Sequence, residues 1–126
     1  MAGRRSSGLT DAELRLMDVL WKKGPATVSQ VVEGLPKRIP LAYSTVLTTL
    51  RILENKGYVA HTKNGRAFTY RPLVEREQAR RNAVAHLLRR LFGGSPELLM
   101  LNLMESGKID AAELERLRRR IAEGRP

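Results

Sequence analysis

The chain has 126 residues, a net charge of +10, a pI near 10.8, aromatic residues at only 5% and no cysteine. A polypeptide this long buries one real core, or a small domain plus an appendage, without covalent staples. The missing cysteines exclude a disulfide framework, a thiolate nucleophile and a cysteine-based metal site, while the positive surplus asks for a polyanionic partner.

Residues 1–8, rich in Gly, Ser and Arg, read as a flexible basic arm carrying Arg4 and Arg5. No apolar run approaches the roughly 20 residues needed to span a bilayer, and the opening MAGRRSSGLT lacks the apolar core of a secretory signal. A soluble, cytoplasmic protein without membrane insertion is expected. The first helix starts at Thr10 with a capping box, Thr10 as N-cap and Glu13 at N3, and Leu9 and Leu14 occupy the positions of a hydrophobic staple. Leu16, Met17, Leu20 and Trp21 form its core face, and Gly24-Pro25 stops it. Thr27 caps a short helix over Val28–Leu35, with Val28, Val31, Val32 and Leu35 inward. Pro36 and Pro40 then bracket a basic turn, Lys37-Arg38.

The segment LAYSTVLTTLRILENKGYVAHTKNGRAFTYR, residues 41–71, is the most informative stretch. From Tyr43 to Lys56, Val46, Leu50 and Leu53 recur at the i, i+4, i+7 spacing of a helix packed on one side. At about 100° per residue, Ser44, Thr48, Arg51 and Asn55 fall opposite that stripe, with Thr45 on the flank. Short hydroxyls, a guanidinium and an amide reach base edges or phosphates without holding a helix out of the major groove. A merely solvated face would more often carry Glu and Lys in i, i+4 pairs. Gly57 ends this helix as its C′ glycine. Tyr58–Lys63 and Arg66–Arg71 alternate as half-buried strands joined by Asn64-Gly65, a strong hairpin signal. Lys63 and Arg66 stand at the tip, placed for phosphate. A polar-faced helix followed by a basic hairpin is the working end of a winged helix-turn-helix.

Pro72 closes that domain. A long amphipathic helix over Val74–Phe92 follows, with Val84, Leu87, Leu88 and Leu91 apolar and Arg80, Arg81, Arg89 and Arg90 outward, until Gly93-Gly94 breaks it. Ser95-Pro96-Glu97 opens another helix with N-cap, N1 proline and N2 acid in place. Its LLMLNLM run is apolar nearly all round. Asp110 and Glu113 make a capping box for a last helix, Ala111–Glu123, striped by Leu114, Leu117 and Ile121. Three helices without a sheet bury such a run poorly, so a symmetric partner is expected to cover it. The dimerisation residues are expected to be Leu87, Leu91, Leu98, Leu99, Leu101, Leu103, Leu114, Leu117 and Ile121; the alternative is a subdomain folded back on its own wing domain. The expected fold is mainly α with a small β-hairpin wing: a basic arm (1–8), a winged helix DNA-binding domain (9–73) and a helical dimerisation domain (74–126). Residues 1–73 hold 12 Lys/Arg against 5 Asp/Glu, net +7, and residues 74–126 hold 11 against 8, net +3, so the positive excess sits with the DNA-reading half.

Three stretches, LTDAELRLMDVLW, LAYSTVLTTLRILENKGYV and NGRAFTY, together with FGGSPELLMLNLMESGKIDAAELERLRRRI, resemble the BlaI/MecI-type, penicillinase-repressor family. The likeness runs from Leu9 to about Glu123, and its C-terminal signature is the most specific part. It implies a homodimer that represses neighbouring genes from inverted-repeat operators of double-stranded DNA. Ser44, Thr45 and Thr48 match hydroxyl-bearing positions of the family's recognition helix, and Arg51 matches more loosely. In members that answer β-lactams, a membrane sensor with a zinc-protease domain triggers cleavage of an Asn-Phe bond in the helix after the Gly-Gly break. Asn102-Leu103 stands there in this chain and is the candidate cleavage site, with leucine replacing the family's phenylalanine; the plainer reading makes both residues part of a dimer core. Related copper-responsive repressors bind metal through a C-terminal cysteine cluster, a mode closed to a chain without cysteine.

Two readings compete with the repressor. A winged-helix adaptor that binds protein would show aromatic or large apolar anchors on the exposed face of Tyr43–Lys56, where Ile52 is the nearest to one. A small-molecule-gated regulator would need a pocket. Catalysis has little support: His61 on the wing and His86 in the long helix are too separated in sequence for a local ligand pair. There is no Gly-rich phosphate loop, HExxH pair or nucleophile elbow. No enzyme activity, cofactor or metal is expected.

Overall fold

The computed structural model describes residues 8–124, so the arm with Arg4 and Arg5 lies outside the described residues. In chain order the elements are α1 (Asp11–Lys23), β1 (Ala26–Thr27), α2 (Val28–Gly34), α3 (Tyr43–Asn55), β2 (Val59–Asn64), β3 (Ala67–Pro72), α4 (Arg76–Leu91), α5 (Pro96–Glu105) and α6 (Ala111–Ala122). Six helices and one small antiparallel sheet make the expected mainly helical architecture with a wing.

Helix starts follow local chemistry. The Thr10 hydroxyl accepts the Glu13 N–H at 3.1 Å while Glu13 Oε1 accepts the Thr10 N–H at 2.9 Å, so two of the amides left over at α1's start are satisfied reciprocally. Thr27 and Gln30 repeat the device at α2, and Asp110 and Glu113 at α6. Of the expected staple only Leu9 packs on the core, since Leu14 is exposed. At the end of α3, Gly57 takes φ 86°. The Tyr58 N–H then reaches back to Leu53 O at 2.9 Å and the Gly57 N–H to Glu54 O at 3.0 Å. This Schellman closure turns the chain directly into β2.

The sheet has the order β1-β3-β2, all antiparallel. Its first strand, two residues pairing Ala26 with Tyr70 and Thr27 with Thr69, is too short to leave any alternation in the sequence. The hairpin differs by one residue from expectation. Asn64 pairs with Ala67, so the two-residue loop is Gly65-Arg66 and not Asn64-Gly65. A type I′ turn on Asn64-Gly65 would need positive φ at both residues. Only Gly65 has it (66°), and a glycine-first turn results.

Leu16, Met17, Leu20, Val31, Val46, Leu50 and Leu53 are fully buried, and Tyr58, Val59, Tyr70 and Val74 close the core from the wing side. Two close approaches tighten it. A Cβ on Gly34 would stand 2.7 Å from Val19 Cγ1, so α1 and α2 meet more closely there than any larger residue permits. Glu13 is buried, and besides its cap bond its Oε1 takes Lys56 Nζ at 2.8 Å, joining the start of α1 to the end of α3.

The chain divides into two compact units, one ending at Val84 and one beginning at Ala85. The division falls inside α4, beyond the boundary at 73 read from sequence, because Val74 and Ala79 are buried in the first unit. In the second unit no residue of α5 or α6 is buried.

Glu13→Ala removes both an N-terminal cap partner and the counter-ion of a half-buried ammonium. It should cost about 2–4 kcal/mol. Urea titration should show a lower midpoint with an unchanged slope; Glu13→Gln, which keeps the cap acceptor, should lose less.

Candidate nucleic-acid interface

Because Val46, Leu50 and Leu53 are all at 0% exposure, the rotation of α3 about its axis is fixed. Ser44, Thr45, Thr48, Arg51 and Asn55 are all exposed, as the helical spacing demands. Thr49 differs: it is buried, and its hydroxyl donates to Thr45 O at 2.7 Å, so it is spent on the helix itself. Just before α3, the Ile39 N–H closes a turn on Pro36 O at 3.0 Å, which holds Lys37 and Arg38 exposed beside the helix start.

Cross-strand pairs sort the wing into two faces. His61 opposes Tyr70 and Lys63 opposes Phe68, so these four share the face that continues Val59. Lys63 Nζ lies 5.8 Å from the centroid of the Phe68 ring, within range of a cation–π contact that braces its stem while leaving the residue exposed. Arg66 sits in the loop itself, exposed.

Sequence reasoning missed the link between helix and wing. His61 Nδ1 lies 2.7 and 2.8 Å from the two oxygens of Glu54, and its ring packs edge-on to Phe68 with centroids 5.2 Å apart. The two residues are seven apart, but only the turn at Gly57 folds them together, so spacing gave no signal. Tyr70 belongs to the same cluster. Its phenol is pushed above its ordinary value by burial first, then by Glu54 and Tyr43, with Arg51 pulling the other way. It therefore stays a neutral hydroxyl while Arg51 supplies the positive charge of the face.

The remaining candidates fall in the second unit or at its edge. Leu87, Leu91, Leu98, Leu101, Leu117 and Ile121 are exposed, Ile121 at 78%, while Leu99, Leu103 and Leu114 are half-buried. Asn102 is exposed and Leu103 partly covered, both inside α5, and Leu103 O accepts from Lys108 N–H at 2.9 Å. On α6, Glu115 pairs with Arg118 at 2.8 Å. Among the described residues no group of His, Asp and Glu could hold a metal ion, and no helix is long and apolar enough to cross a membrane. Two open hollows, of about 170 Å³ by Arg15, Lys22 and Lys23 and about 310 Å³ by Lys108, Arg116 and Arg120, are lined mostly by charge. Neither has the enclosed apolar character of a small-molecule pocket.

The sequence matches the family model described as penicillinase repressor over residues 9–123. It is 35% identical over 117 residues to the transcriptional regulator BlaI of Mycobacterium tuberculosis, an alignment covering 91% of this chain and 83% of that protein. Identity to the penicillinase repressor of Bacillus licheniformis is 29% over 109 residues, covering 86% and 85%. The solution structure of the DNA-binding domain of the repressor BlaI superposes with a TM-score of 0.53 at 32% identity, over 60% of this chain and 92% of that domain.

Gly65→Ala tests the geometry of the tip, since an L side chain at positive φ costs about 1–2 kcal/mol. Expected are a matching fall in unfolding free energy and faster amide exchange confined to β2 and β3; unchanged exchange would contradict the assigned loop.

Proposed function

Since this chain belongs to the penicillinase repressor family, a family of DNA-binding transcriptional repressors and not of enzymes, we propose that it represses transcription as a homodimer on an inverted-repeat operator. The observation that carries the reading is the exposed face of α3: Ser44, Thr45, Thr48, Arg51 and Asn55 stand free opposite a fully buried stripe. In this reading α3 lies in the major groove. Ser44, Thr45 and Thr48 meet base edges or nearby phosphates, Arg51 meets guanine or phosphate, and Lys63 and Arg66 grip the backbone from the wing. Arg4 and Arg5 would add contacts from the arm. The work is done where the chromosome is, in the cytoplasm.

The homodimer rests on the second unit. Side chains such as Leu91, Leu98, Leu101 and Ile121 stay 47–78% exposed among the described residues, and a second copy offers the same apolar surface in return. Two copies of α3 would then fall about one turn of duplex apart, or a multiple of it. Asn102-Leu103 is the candidate point for relief of repression by a sensor protease. The bond lies within α5, so a protease must first open the end of that helix to draw it out as an extended strand. The protein-binding adaptor finds less support. Tyr43 and Ile52 are both exposed, at 53% and 43%. Nine helical positions separate them, about 180° of rotation, so they form no continuous apolar patch.

The reading is tested by a gel shift on DNA upstream of the chain's own gene against scrambled competitor, with the mass in solution measured beside it. A monomer without sequence preference would end it. Lys63→Ala should weaken binding to all duplexes alike and lower the slope of log K against log salt by about one unit. Thr48→Ala should weaken cognate binding more than random binding; equal losses on both would remove Thr48 from base reading.

A further inference from the structure

Between α3 and the wing stands a histidine that none of the DNA contacts proposed above uses. His61 Nδ1 lies 2.7 and 2.8 Å from the two oxygens of Glu54. An ionised carboxylate only accepts, so Nδ1 carries a hydrogen whether the ring is neutral or charged. The charge of the ring is therefore decided at Nε2. α3 brings Glu54 to the ring, and Arg51 and Tyr43 join Glu54 in acting on the neighbouring Tyr70 phenol. β3 brings Tyr70, with ring centroids 5.5 Å apart, and Phe68, at 5.2 Å. On β2 itself Lys63 Nζ lies 5.8 Å from the centroid of the same Phe68 ring. Tyr70 is a neutral hydroxyl, so one carboxylate stands against two cations before His61 is counted. The side chains of His61 and Glu54 keep 39% and 32% of their surface, so charge arriving from outside is felt by both.

We infer that His61 takes up a proton when the protein binds duplex DNA, so that affinity rises as the solution turns acid. The inference rests on the groove-binding reading above, in which Arg51 and Lys63 meet the duplex. Both belong to the cluster around His61, so phosphates drawn to them enter the field felt by its ring. A neutral imidazole leaves Glu54 a full negative charge beside Arg51. The imidazolium cancels that charge and leaves the cluster more positive, the state a phosphate favours. One unit charge at about 7 Å changes a proton affinity by about threefold in water, more near a low-dielectric surface and less in salt. The bound protein therefore holds more protons than the free one wherever the free ring is partly neutral. Binding strengthens as pH falls through that window and flattens on either side of it. Glu54 acts here as a positioning residue, holding Nδ1 and leaving Nε2 as the atom that gains the proton.

The test uses the full chain and a duplex recovered by selection from random DNA, titrated at constant ionic strength from about pH 8 to about pH 5.5. Wild-type affinity should rise by about three- to tenfold over that range. Calorimetry of the wild type in two buffers of different ionisation heat should record proton uptake on binding. His61→Asn keeps an amide donor for Glu54 but cannot be protonated. It should match the wild type at the alkaline end and lose most of the rise and of the uptake, as should His61→Gln. His86→Gln should keep both. A rise of equal size in the wild type and the His61 variants would overturn the inference, as would wild-type binding without proton uptake. If selection yields no preferred sequence at any pH, the DNA reading itself fails; specific binding with superimposed pH profiles removes only the proton uptake.

Discussion

The burial of Val46, Leu50 and Leu53 between α1, α2 and the sheet is the constraint on which the rest depends. Three branched side chains at zero exposure leave α3 one rotational setting. Turning it by one residue would swing the stripe by about 100° and bring a hydroxyl or guanidinium into the core, at a cost of several kcal/mol in unpaired polar groups. Apolar packing on one side therefore determines what the opposite side offers. The same packing delivers the chain, through the Gly57 closure, into β2 with Tyr58 and Val59 already inside.

Charged contacts refine what the core establishes. Glu13 holds Lys56 at the end of α3, and Glu54 holds His61 on the wing, so the last turn of one helix is tied to two different elements. Glu54 stands in the same electrostatic cluster as Arg51, and His61 Nδ1 lies within hydrogen-bond distance of both its oxygens.

What was legible in the sequence was what is local. Thr10 with Glu13 and Asp110 with Glu113 announce helix starts three residues ahead, and the α3 stripe announces its own buried face. The exposure of Ser44, Thr48 and Arg51 follows from spacing alone. The misreadings are long-range or too brief. β1 has two residues and exists only because Tyr70 and Thr69 come to meet it. The hairpin loop differs by one residue because Asn64-Gly65 is a strong local hairpin signal, whereas the ladder keeps Asn64 and turns on Gly65-Arg66. Glu54 with His61, and Asp18 with Arg76, are partners that only the folded chain brings together.

Gly34 carries a consequence for anyone who mutates this protein. Its surface is exposed, yet an added methyl would collide with Val19 in the core. A survey of tolerated changes along α2 should therefore find neighbouring Glu33 permissive and residue 34 intolerant even of alanine. Solvent accessibility, the usual guide to harmless positions, would misjudge this site, because an added Cβ would stand against Val19 and not in solvent.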